Sequence, residues 1–113
     1  MSDKTIKVVL VCAAGMSSSL LEDKIRQAAS DSGRAMELRA VDATTMSMWD
    51  YAKDTMDVIL VAPQVRFKKR GIIAQAEPHG VVVEDIDTIA YGMVDGEKIF
   101  NQVLDAFNRK DES

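Results

Sequence analysis

Residues 6–21 read IKVVLVCAAGMSSSLL, and the fold follows from how this stretch changes character. Ile6, Val8, Val9, Leu10 and Val11 form an apolar run broken only by Lys7, the pattern of a buried strand. Leu20, Leu21, Ile25, Ala28 and Ala29 then recur at helical spacing. A glycine and three consecutive hydroxyl residues lie between, so the chain turns sharply from strand into helix. Cys12, the only cysteine, ends the strand at that turn. Free backbone N–H groups and the positive end of a helix converge there, an environment that binds an oxyanion and favours a thiolate.

The alternation continues outward. A helix is predicted from near Ser18 to Ser32, stopped by Gly33; Ser19 and Glu22 match a capping box, with Ser17 or Ser18 as alternative caps. Met36 to Val41 sets Met36, Leu38 and Ala40 against Glu37 and Arg39, as in an edge strand with one wet face. Thr44 to Asp54 reads as a weaker helix carrying Met48, Trp49 and Ala52, with Trp49 packed on the sheet. Val58 to Ala62 is apolar throughout and reads as a central strand, ended by Ala62-Pro63-Gln64. A further helix runs from near Phe67 to Ala76, closed by Pro78 and Gly80, before a strand at Val81 to Val83. Asp85 to Val94 reads as loop. Asp95 caps a last helix with an apolar face of Ile99, Phe100, Val103, Leu104 and Phe107, and the tail from Arg109 reads as frayed. Strands alternating with helices imply an α/β fold, a parallel sheet covered on both faces, in one domain over residues 1–113. Ligands bind such sheets at the carboxyl ends of the strands, the edge shared by Cys12, Gln64 and the loop after Val83.

Composition excludes several classes. The net charge of −4 argues against nucleic acid as a partner, because phosphate backbones call for clustered Lys and Arg. A single Cys makes no intrachain disulfide, which fits a reducing cytoplasm. The run Ile6 to Val11 is too short for a signal peptide, and nothing approaches the ~20 apolar residues of a membrane span. The seven methionines read as flexible core filler, apart from Met16, which faces outward from the loop towards a partner. No metal-ligand cluster is visible; His79, between Pro78 and Gly80, reads as a turn residue.

A thiolate at Cys12 can attack phosphorus or a disulfide. To hold a phosphoryl group, the backbone from Ala13 to Ser19 must curl its N–H groups around three oxygens. Gly15 permits that curl, Ala13 and Ala14 let the backbone approach, and the Ser17, Ser18 and Ser19 hydroxyls add neutral donors. Residue types alone leave open an inert buried thiol beside helix-capping serines. Cysteine phosphatases of the low-molecular-weight type carry an Arg where Ser18 stands here, and the first Arg after Cys12 is Arg26. A loop lacking that cation holds a phosphoryl group but hydrolyses it poorly, as a carrier must. A cysteine phosphatase, an arsenate-reductase-like thiol enzyme and a non-catalytic ligand-binding module are the competing readings. Arg66, Lys68, Lys69 and Arg70 make either a solvated face or a docking patch for an acidic partner. Gln64 and Tyr91 are candidates to bond and to cover the loop.

At these residues the chain resembles a family. The segment CAAGMSSSLL is similar to the active-site loop of the lactose/cellobiose-type IIB components of the bacterial sugar phosphotransferase system. DVILVAPQV, from Asp57 to Val65, is similar to that family's third strand, which usually ends in G-P-Q. IAYGMVDG, from Ile89 to Gly96, is similar to its Y-G-x-x-D-G segment. The resemblance implies a four-stranded parallel sheet of order 2-1-3-4 with helices on both faces, similar to low-molecular-weight tyrosine phosphatases. It implies that Cys12 takes a phosphoryl group from a phosphohistidine of a IIA partner. Cys12 then gives it to a sugar, a β-linked di- or oligosaccharide such as cellobiose, held by a membrane IIC partner. Ala13 to Ser19 is the implied phosphate cradle, no metal or other cofactor is required, and the protein works in the cytoplasm, transiently at the membrane's inner face. Ala62 departs from the usual Gly, and Ala13 and Ser18 stand where Ser and Thr are frequent.

Overall fold

The computed structural model describes residues 4–13 and 19–112. Four strands, β1 (Ile6–Cys12), β2 (Met36–Asp42), β3 (Val58–Val61) and β4 (Val82–Asp85), pair in parallel in the order β2-β1-β3-β4. The order follows from the residues. β1 and β3 are buried along nearly their whole length, so they occupy the centre, while β2 carries Glu37 and Arg39 to solvent at one edge. Of the alternating positions in β2, Leu38 is buried; Met36 is half-buried and Ala40 is exposed.

The connections run α1 (Ser19–Asp31), α2 (Ala43–Ser47), α3 (Lys69–Ala76), α4 (Thr88–Gly92) and α5 (Gly96–Glu112). Leu21, Ile25 and Ala29 of α1 and Ile99, Phe100, Val103, Ala106 and Phe107 of α5 are buried in one continuous core with the central strands. Each fully buried aliphatic side chain contributes about 1.5–3 kcal/mol. The α1–α5 contact depends on Gly96, where a Cβ would lie 2.3 Å from the Lys24 carbonyl. Asp57, at the start of β3, is the buried charged residue among those described. Its carboxylate accepts from Lys7 N at 2.9 Å and Lys110 Nζ at 3.1 Å, and its own N–H donates to Lys7 O.

Several expectations need correction. The helix expected to Asp54 ends at Ser47, because the Asp50 carboxylate takes the N–H groups of Ala52 and Lys53 into a turn. Trp49 is half-buried and packs against the core beside β2; it donates from Nε1 to Asp54 O and lies under Arg39. The fourth strand sits at Val82–Asp85, and the segment read as loop contains α4, capped by Asp87. Helix three is preceded by a 3-10 turn, Pro63–Lys68, and followed by another, Glu77–His79. His79 is exposed in that turn as expected, and stacks on Tyr51. The tail expected to fray continues α5, where Arg109 pairs with Glu84 and Lys110 with Asp57. Met46 and Met56 fill the core, but Met48 and Met93 are exposed.

Candidate functional site

Cys12 closes β1 at the carboxyl edge of the sheet. The ladders place it opposite Asp42 of β2, and one step beyond the Val11–Val61 pair, beside Ala62. Ala62 N–H donates to Val11 O at 2.9 Å, continuing the ladder past the end of β3. Ala62 has φ −68 and ψ 151, an extended backbone any residue adopts, so alanine costs nothing where glycine is usual. The Cys12 sulfur lies 3.6 Å from Val41 O, and the residue is 6% exposed. A carbonyl oxygen accepts a proton, so this contact suits a neutral thiol and opposes the thiolate that the helix end favours.

The other predicted residues gather at the same edge. Ala13 is half-buried against the core, and Ser19 is exposed at the first position of α1. Ala14, Gly15, Met16, Ser17 and Ser18 lie outside the described residues, so the expected cradle rests on the two ends of the loop. α1 is described over 13 residues from Ser19. Gln64 is exposed in the 3-10 turn directly after β3, and Tyr91 is half-buried in α4 after β4.

Side-chain bonds fix this edge. Arg66 donates to Thr88 Oγ1 at 3.0 Å and Lys69 to Asp85 at 3.1 Å, tying the turn after β3 to the end of β4. Gln102 of α5 donates to Asp85 O and accepts from Asp87 N. Two of the four predicted basic residues therefore have internal partners, while Lys68 lies over the Phe67 ring and, like Arg70, is exposed. Asp42 and Asp87 cap α2 and α4, accepting from Thr45 N at 2.7 Å and Ala90 N at 2.9 Å. Those backbone bonds hold both carboxyls below the ordinary carboxylate range, helped at Asp87 by Lys98. Asp42 and Thr88 carry no motif of their own, although an acidic residue between a strand and a T-T pair is the cap signal that marks Asp42.

Large apolar side chains stand out on connections at this rim: Leu20 on α1, Phe67 after β3, Ile89 on α4 and Met93 just after it, from 61% to 77% exposed. Among the described residues no group of three His, Cys, Asp or Glu could hold a metal, and no helix is long and apolar enough to cross a membrane.

Comparison with known proteins places this arrangement. The family profile described as "PTS system, Lactose/Cellobiose specific IIB subunit" matches residues 7–102. The oligo-β-mannoside-specific EIIB component of Bacillus subtilis is 39% identical over 101 residues, covering 87% of this chain and 92% of that protein. The cellobiose-specific EIIB component of Lactococcus lactis is 39% identical over 101 residues, covering 88% and 92%. A galactose-specific EIIB component of Lactococcus lactis subsp. cremoris is 38% identical over the same length and shares. The solution structure of a cellobiose-specific IIB component from Borrelia burgdorferi superposes with a TM-score of 0.73 at 36% identity, covering 95% of each chain. A lactose-specific IIB domain from Streptococcus pneumoniae shares the fold, with a TM-score of 0.77 at 23% identity over 92% of this chain and 99% of that one.

Proposed function

The chain belongs to the lactose/cellobiose-specific IIB family of the sugar phosphotransferase system, and on that premise we propose that Cys12 is its phosphoryl carrier. A phosphohistidine on a IIA protein is the donor. The Cys12 sulfur attacks phosphorus, the S–P bond forms, and the P–N bond breaks with its electron pair on the departing imidazole, which takes the thiol proton. A sugar hydroxyl held by a membrane IIC protein then attacks the phosphocysteine, and the sulfur leaves with the hydroxyl's proton. Both steps have a loose transition state, so alignment and donors to the equatorial oxygens carry the catalysis. The backbone of Ala13 to Ser19 is the cradle, with Gln64 and Tyr91 flanking it, and neither step calls for a metal or nucleotide.

The observation that carries this reading is the position of the one cysteine at the carboxyl end of a central strand, in a chain matched by the family over residues 7–102. The apolar rim of Leu20, Phe67, Ile89 and Met93 is the surface on which the protein partners seat. The relatives are named for oligo-β-mannoside, cellobiose and galactose at nearly equal identity, so overall likeness does not select one sugar. A β-linked di- or oligosaccharide chosen by IIC is the substrate class, and the protein acts at the cytoplasmic face of the membrane.

Intact mass after mixing with phosphorylated IIA tests the proposal. One added phosphoryl group, absent from Cys12→Ser, is expected. Steady hydrolysis of an aryl phosphate by the wild-type protein would instead make it a phosphatase and overturn the carrier reading.

A further inference from the structure

We propose that Asp42, which faces Cys12 across the β1–β2 ladder, is a positioning charge that keeps the resting Cys12 thiol protonated. The inference deepens the carrier reading and rests on it only for its biological meaning. Residues in register on neighbouring parallel strands project to the same face, so the Asp42 and Cys12 side chains leave the sheet together. The peptide joining Val41 to Asp42 already touches the thiol, with Val41 O 3.6 Å from Sγ. From that oxygen the carboxylate is about five more ångströms of covalent geometry away, which bounds its distance from the sulfur at roughly 9 Å. The carboxylate is fixed rather than free to swing, because it caps α2 through Thr45 N at 2.7 Å. The same bond holds Asp42 below the ordinary carboxylate range, so it is ionised wherever the protein works.

The other charges at this edge do not duplicate it. β3 brings Val61 and Ala62, and α2 brings Ala43, Thr44 and Thr45, all uncharged. On α1, Glu22 and Asp23 both contact Arg26. After β3, Arg66 is bonded to Thr88, Lys68 lies over Phe67, and Lys69 is paired with Asp85. On the β4 side, Asp87 is paired with Lys98. The Val41 carbonyl and the Asp42 carboxylate both oppose ionisation of the thiol. A thiol kept neutral at rest resists alkylation and oxidation, since the thiolate is the reactive form.

Asp42→Asn separates charge from capping, because Asn caps helices as well as Asp does. The probe is the Cβ chemical shift of the single cysteine, followed through its ionisation in the unphosphorylated full chain, which needs no donor protein. The midpoint is expected to fall by roughly half a pH unit, about three times more thiolate at a given pH below it, and by less in high salt. Asp42→Ser, which also caps, should shift it likewise, and Asp105→Asn, an exposed change on α5, should not. An unchanged midpoint in folded Asp42→Asn overturns the proposal, as does an equal fall in Asp105→Asn. Failure of phosphoryl uptake would sink the carrier reading while leaving this titration to stand or fall by itself.

Discussion

At the residue scale, Cys12 was legible because two patterns collide at it, an apolar strand and a hydroxyl-rich helix start. Its contact with Val41 O was not, since that carbonyl comes from β2, 29 residues on, and no local pattern announces it. Val94 was equally hidden: it sits at φ 54, a conformation costly for a β-branched residue, between the end of α4 and the docked start of α5. Gly96 explains the second glycine of the IAYGMVDG segment. A Cβ there would strike the Lys24 backbone rather than a yielding side chain. Gly96→Ala should therefore lower stability by about 1–3 kcal/mol, read from urea unfolding with an unchanged slope. A variant as stable as the parent would show that α1 and α5 can part at no cost.

At the scale of elements, long periodic segments were legible and short capped ones were not. α1 and α5 announce themselves by apolar spacing over 13 and 17 residues. α2 and α4 are five residues each, too short to show a period, and each depends on one aspartate at its entry. Those caps give the protein an acid-sensitive pair of joints. A carboxylate held below its ordinary value in the fold adds stability above that value, and the contribution is lost as pH falls through the folded value. Urea midpoints should consequently decline as the medium is acidified below about pH 4, where unfolded-chain carboxylates begin to protonate. The double variant Asp42→Asn, Asp87→Asn keeps both caps without titrating, so its midpoint should decline less steeply over the same range. Parallel declines in the two proteins would remove the caps from the account. The charged patch also resolves at this scale. Arg66 and Lys69 are held by Thr88 and Asp85, while Lys68 and Arg70 are exposed. Lys68→Glu is expected to slow phosphoryl transfer from IIA by several-fold at low salt and much less at high salt. Stopped-flow rates that ignore this reversal would return the cluster to a solvated face.

For the whole molecule, strand alternation gave the parallel sheet, and burial explains its order: the two most apolar strands lie inside. Sequence periodicity could not show how the far edge is closed, because Asp57, Lys7 and Lys110 are brought together only by tertiary folding. Asp57→Ala would leave the Lys7 N–H and the Lys110 ammonium without this acceptor, a loss of about 1–3 kcal/mol. Thermal unfolding of that variant measures it directly, and an unchanged midpoint would mean that solvent replaces the carboxylate freely.

The aspartate knot has a practical corollary. It gathers Lys7 of β1, the start of β3 and Lys110 of α5 at the pole opposite Cys12. A reporter or surface tether attached through a side chain at that pole would leave the opposite rim unobstructed.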